Sequence, residues 1–259
     1  MKQTLTFCFV VLGLFATVLA LLEIGRRIAI RRRKQDNQGT SAGLGVIDGA
    51  VFGLMGLIIA FTFSGAATRF DTRRQLIGQE ANAIGTAYLR LDLLPAAAQP
   101  ELREDFRNYL DARLSIYTNL ALDTEAARAE QARAAMLQGK IWAEAVAGCR
   151  EAGSQATTSL VLSSLNEMID ITTTRFVALQ THPPFAIYWG LLVLVLASAL
   201  LAGYGMAESK KRNWIHMVIY SAIMATAIYV IFDLEYPRIG LIRIDAADKV
   251  LIDLRNSMK

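Results

Sequence analysis

The sequence predicts an all-α integral membrane protein, with four transmembrane helices and an extramembrane helical-bundle domain continuous with the second transmembrane helix. Three observations lead there. Residues 46–94 open with about twenty apolar residues, long enough to cross a hydrocarbon core, and pass without an internal proline into an amphipathic helical pattern. Hydrophobic residues make up 54% of the 259, while the 19% that are charged gather mostly in the middle of the chain and in two short loops. Such segregation marks membrane spans joined to a water-exposed domain. From Thr68 to His182 the pattern is almost wholly helical, and its four apolar faces need partners.

Taken in order, residues 1–25 form transmembrane helix 1 and residues 26–45 a basic cytoplasmic loop. The alternative for the first segment is a cleaved signal peptide ending near Val18 and Ala20. Arg26, Arg27, Arg31, Arg32, Arg33 and Lys34 follow at once, and a basic run resists export, so a retained span is preferred. Residues 46–67 form transmembrane helix 2. Gly45, Gly49 and Gly53, at four-residue steps, suit close helix packing, and the hydroxyls of Thr62 and Ser64 are expected to bond back to backbone carbonyls.

Residues 68–184 form the bundle. Its first helix places Phe70, Ile77, Ala81, Ile84, Tyr88 and Leu91 on one stripe. Pro95 and Pro100 bracket a turn, with Pro100 suited to a first helical turn. Leu102, Phe106, Tyr109, Leu110, Leu114 and Tyr117 share the next face. An Ala-rich helix is expected from Asp123, a good N-cap, and Gly148 and Gly153 loosen its join to the next. That last helix carries Val161, Leu165, Met168, Ile169, Phe176 and Leu179 on one side and ends at His182, Pro183 and Pro184. Residues 185–207 and 214–234 form transmembrane helices 3 and 4, joined by the basic loop 208–213 with Lys210, Lys211 and Arg212. The tail, residues 235–259, is expected to end as an amphipathic helix lying on the membrane surface.

The two basic connectors should be cytoplasmic, which places the bundle in the periplasm of a Gram-negative cell and the protein in the inner membrane. A net charge of +4 is too small to suggest a nucleic-acid partner. Cys8 and Cys149 form no disulfide framework, and no metal pair, cofactor motif or catalytic constellation is present in the sequence. His182 and His216 lack a second His at ligand spacing and read as structural or interfacial. Among polar residues, Glu80, Asn82, Asn166, Glu167 and Asp170 stand out. Glu80 flanks the apolar stripe, with Arg73 on the same flank and Arg175 on a partner segment. It suits either a salt-bridged bundle or, with Asn166, Glu167 and Asp170, a polar core or carboxylate-lined vestibule. No Lys or Arg falls at mid-depth in the spans and the acids Asp48 and Asp233 lie at span ends, a pattern that counts against active transport.

The segments LIIAFTFSGAATRFDTRRQLIGQEANAIGTAYLRLDLLP, LNEMIDITTTRF and FDLEYPRIGLIRID resemble the bestrophin-like domain family of bacterial membrane proteins, which has no assigned activity. The resemblance covers the chain from about Val46. A more distant similarity reaches the bestrophin anion channels, pentamers whose second transmembrane helix lines a hydrophobic neck. That similarity implies a homo-oligomer in the lipid bilayer, a pentamer if it extends to assembly, passing small inorganic ions through a constriction at Leu57 and Phe61. Thr68, Arg69 and Phe70 match the triplet that follows the neck. Gly53 departs from the channel pattern, standing where a third bulky neck residue is expected. The alternative function is a non-conducting envelope protein that docks or senses; an enzyme is not expected.

Overall fold

A computed structural model describes the chain apart from Met1, residues 36–43, 120–123 and 209–211, Ile239 and Lys259, and apart from the side chains of residues 2–8, 33–35, 44, 118–119, 124 and 208. Asp123, Lys210, Lys211 and residues 36–43 of the first connector therefore lie outside the described residues, as do the side chains of Lys34 and Cys8. The chain divides into two compact units, residues 1–70 with 182–242 and residues 71–181 with 243–259.

The first unit holds α1 (Lys2–Gln35), the first part of α2 (Leu44–Arg90), α6 (Phe185–Gly205) and α7 (Trp214–Glu235). Four stretches among the described residues are long and apolar enough to cross a membrane, within Phe9–Arg32, Gly45–Leu93, Gln155–Gly205 and Trp214–Glu235. The α1 helix does not stop at residue 25. The basic run expected in a loop continues it to Gln35, because Arg and Lys are good helix formers and no Gly or Pro interrupts them.

Packing of α1 on α6 is set by two glycines. A Cβ on Gly203 would lie 2.0 Å from the Leu22 carbonyl oxygen, and one on Gly25 would lie 2.1 Å from that of Leu200. Small residues that let backbones touch are the usual means of helix association where lipid removes the hydrophobic drive. Val18, Leu22, Met55, Ala66, Leu191, Val195, Met217 and Ile231 build the core between these helices. The Thr62 hydroxyl bonds back to the Ile58 carbonyl at 2.7 Å, as expected for a hydroxyl in a span.

The second unit holds the remainder of α2, which runs unbroken from Leu44 to Arg90, with α3 (Gln99–Asn119), α4 (Thr124–Ala152), α5 (Gln155–Gln180) and α8 (Asp245–Ser257). The expected stripe is largely the buried side of α2: Ile77, Ala81, Ile84 and Tyr88 are buried, as is Leu91 in the short 3-10 turn that follows, while Phe70 is half-buried. Pro100 sits in the first turn of α3, where its missing N–H costs nothing. Tyr88 meets Phe106 edge to face at 5.8 Å. Gly153, at φ 65°, ends α4, and the Ser154 hydroxyl accepts from the Thr157 N–H to cap α5.

The tail helix corrects an expectation. It is amphipathic, but α8 packs against α3 within the second unit, with Leu251 fully buried and the Arg255 guanidinium donating to both oxygens of Asp111 at 2.7 and 2.9 Å. A bidentate Arg–carboxylate pair and a buried Leu give α8 a protein surface to cover.

Candidate functional site

Three places in the fold bear on function: the bare face of α2 in the first unit, a charged loop closure at the end of α7, and a buried ion cluster in the second unit.

On α2, Met55, Thr62 and Ala66 are buried, whereas Leu57 is 53% exposed and Phe61 70% exposed. Gly45, Gly49 and Gly53 are exposed too, and nothing lies within 4 Å of a Cβ added to any of them. The close helix contacts within this unit are made instead by Gly25 and Gly203. Nothing in the apolar pattern of α1 or α6 ranks those two above Gly13 or Gly190, so spacing within one helix could not have identified them.

At the end of α7, Glu235 is fully buried. It accepts from Arg69 Nε at 3.1 and 2.9 Å and lies 2.8 Å from His182 Nδ1, with the His182 ring stacked on Tyr236 at 5.0 Å. Two residues earlier in the helix, Asp233 is fully buried and its Oδ2 accepts from the N–H groups of Leu241 and Ile242 at 3.0 and 2.8 Å. Gly240 is required there, since a Cβ would fall 1.4 Å from Asp233 Oδ1. The closure accounts physically for FDLEYPRIGLIRID and for the Arg of TRF. His182 is structural in this arrangement rather than a metal ligand.

In the second unit Glu80 has no exposed surface. Arg113 Nε donates to Oε1 at 2.6 Å, Arg175 Nη1 pairs with Oε2, and the Tyr117 hydroxyl donates to Oε2 at 3.2 Å. Arg175 also lies over the Tyr117 ring, 4.0 Å from its centre. Burial pushes the Glu80 pKa up, but the Arg113 and Arg175 guanidiniums outweigh it and hold the carboxyl below its ordinary value. Burial also raises Tyr109 to about 12 and raises Tyr117 further, so both phenols stay neutral. The geometry is that of an interior ion centre.

Arg175 was legible as a partner for Glu80, but Arg113 was not, because it shares α3 with a face read as apolar. Arg73 takes no part. It donates to the Ala178 and Thr181 carbonyls at 3.1 and 3.0 Å, satisfying groups that the end of α5 leaves without helical partners. Asn166, Glu167 and Asp170 do not join Glu80 in one core. They are exposed, because Val161, Leu165, Met168 and Arg175 occupy the inward stripe of α5 and these three fall off it. With Ser163, Ile171 and Thr174 they line an open surface depression. One further acidic group, Glu101, Asp105 and Glu144, has the proximity to ligate a metal, but Lys140 Nζ stands among its carboxylates at 3.0, 3.0 and 3.4 Å and offsets part of their charge.

The chain is similar in fold to crystal structures of variants of a bacterial bestrophin homologue from Klebsiella pneumoniae. One is 18% identical with a TM-score of 0.70, covering 95% of this chain and 97% of that one. Another is 17% identical with a TM-score of 0.67, covering 95% and 99%. A crystal structure described only as a membrane protein is 19% identical with a TM-score of 0.67, covering 93% and 98%. No curated protein matches the sequence. The Bestrophin-like domain matches residues 12–248, nearly the full length, and this integral membrane protein belongs to that family.

Proposed function

We propose that the chain forms a homo-oligomeric passive ion channel in a bacterial inner membrane, with one α2 from each subunit arranged around a common axis. The observation that carries this reading is the open face of α2, where Leu57 and Phe61 are largely exposed and, among the described residues, nothing lies within 4 Å of a Cβ added to Gly45, Gly49 or Gly53. Exposed apolar side chains in lipid need no protein partner. Small residues at four-residue steps are different, because their value lies in letting a second backbone come close. Around an axis, Leu57 and Phe61 make an apolar constriction that gates by dewetting. The distant similarity to bestrophin channels supports five subunits and small inorganic ions as the cargo. Asn166, Glu167 and Asp170 are the vestibule wall in this arrangement, and Glu80 braces it from within. A pore of this kind uses neither a cofactor nor a catalytic residue.

The test is assembly followed by conduction. Wild-type protein in lipid nanodiscs is expected to measure as a ring-shaped oligomer, and Phe61→Ala is expected to raise single-channel conductance several-fold in a planar bilayer by widening and wetting the constriction. A monomer, or an oligomer silent in both forms, overturns the channel. A silent protein leaves the docking or sensing role, for which the exposed α5 face would be the contact surface.

A further inference from the structure

Beside the Glu80 cluster, within the second unit, lies a cavity of about 540 Å³ between α3, α4 and α5. That volume falls in the usual range of small-molecule sites, about 300–1,000 Å³. Its walls combine an apolar floor, including Ile116, Phe176 and Leu179, with Arg113, Tyr117 and Arg128.

The charges around it do not balance. Glu80 supplies one negative charge, while Arg113 and Arg175 supply two positive ones, and all three are buried. Among the described residues Glu80 is the only carboxylate paired with either arginine. Tyr109 and Tyr117 are neutral and contribute no charge. Arg128, an exposed side chain, adds a further cation at the mouth of the cavity. An uncompensated buried charge is costly, so a site that carries one is suited to an anion that completes it. A bare inorganic anion would leave the apolar floor uncovered.

We infer that this cavity binds a small organic monocarboxylate, with its carboxylate toward Arg128 and Arg113 and its apolar body over Ile116, Phe176 and Leu179. Aromatic and short branched acids fit this description by size. The site is independent of conduction, because it lies wholly within the second unit and uses no residue of the α2 constriction.

The probe is 2-naphthoate, with the neutral isostere 2-naphthamide as its control. Binding to the full chain in lipid nanodiscs is measured by isothermal titration calorimetry, with empty nanodiscs subtracted. Naphthoate is expected to bind and naphthamide to bind at least tenfold more weakly, as follows from losing a charge-assisted hydrogen bond. Arg128→Gln should weaken naphthoate about tenfold. Thr173→Trp, at an exposed position on the cavity rim, should abolish binding by filling the space while leaving the elution volume of the protein unchanged. Equal binding of acid and amide, naphthoate binding unaltered in both variants, or no binding of naphthoate to the wild-type protein at millimolar concentration would each overturn the inference.

Discussion

At the scale of single residues, Glu80 is the most consequential side chain. Removing its charge leaves Arg113 and Arg175 facing each other in a buried space with only neutral groups between them. Glu80→Gln is therefore expected to cost about 3–5 kcal/mol, the range found when one partner of a buried pair is lost. Arg175→Met should cost less, because it leaves a neutral Glu80–Arg113 pair. Thermal denaturation in detergent, monitored by circular dichroism, orders the two variants. The pH dependence follows from the depressed carboxyl: its contribution is complete above the unfolded value of 4.5 and is lost as the pH falls through the lower folded value. The advantage of wild type over Glu80→Gln should accordingly hold at neutral pH and shrink below about pH 4.5.

Half of this centre was readable in advance. Helical projection puts Glu80 beside the apolar stripe and opposite-charge matching selects Arg175, but the same rule selects Arg73, which goes to carbonyls instead. Coulomb attraction ranks partners by distance, and distance between helices is a property of tertiary packing that no single-helix pattern contains. The bonds of Glu235 and Asp233 were hidden for the same reason, although the segment that holds them was conspicuous as a sequence.

At the scale of elements, the two glycine sets have separable consequences. At Gly203 a methyl group would meet the Leu22 backbone at 2.0 Å, so the helices themselves must move. Gly203→Ala should lower stability by about 1–3 kcal/mol, the usual cost of overpacking, and lower the melting temperature of the detergent-solubilised protein. Gly56→Ala, where nothing lies within 4 Å, should melt with the wild type. Equal melting of all three would remove the α1–α6 contact as a determinant of stability. Helix number and order were legible because apolar runs and 3.6-residue periodicity are local. The end of α1 and the docking of α8 were not. A basic run is compatible with either helix or loop, and an amphipathic helix does not declare whether lipid or protein covers its greasy side.

At the scale of the whole molecule, the open question of sidedness has a physical lever. Glu23, near the end of the first apolar span, pairs with Arg26, Arg27 and Arg212, the last at 3.1 Å. The positive charge that follows the first span and the positive charge that precedes the fourth therefore gather at one end of the first unit. Short basic segments stay in the cytoplasm, so the residues between α2 and α6 are expected in the periplasm. A cysteine replacing Gln138, in a background with Cys8 and Cys149 changed to Ser, should react with an impermeant maleimide once the outer membrane is permeabilised. Protection until the inner membrane is lysed would reverse the orientation.

The docking of α8 on α3 also has a consequence for how the protein is made. Its thirteen residues leave the ribosome after all the other described helices, yet they pack into a unit whose first helices were synthesised long before. A nascent chain interrupted before Asp245 already has the four stretches long and apolar enough to cross a membrane, but leaves Asp111 without its Arg255 partner and the face of α3 that α8 covers open to water.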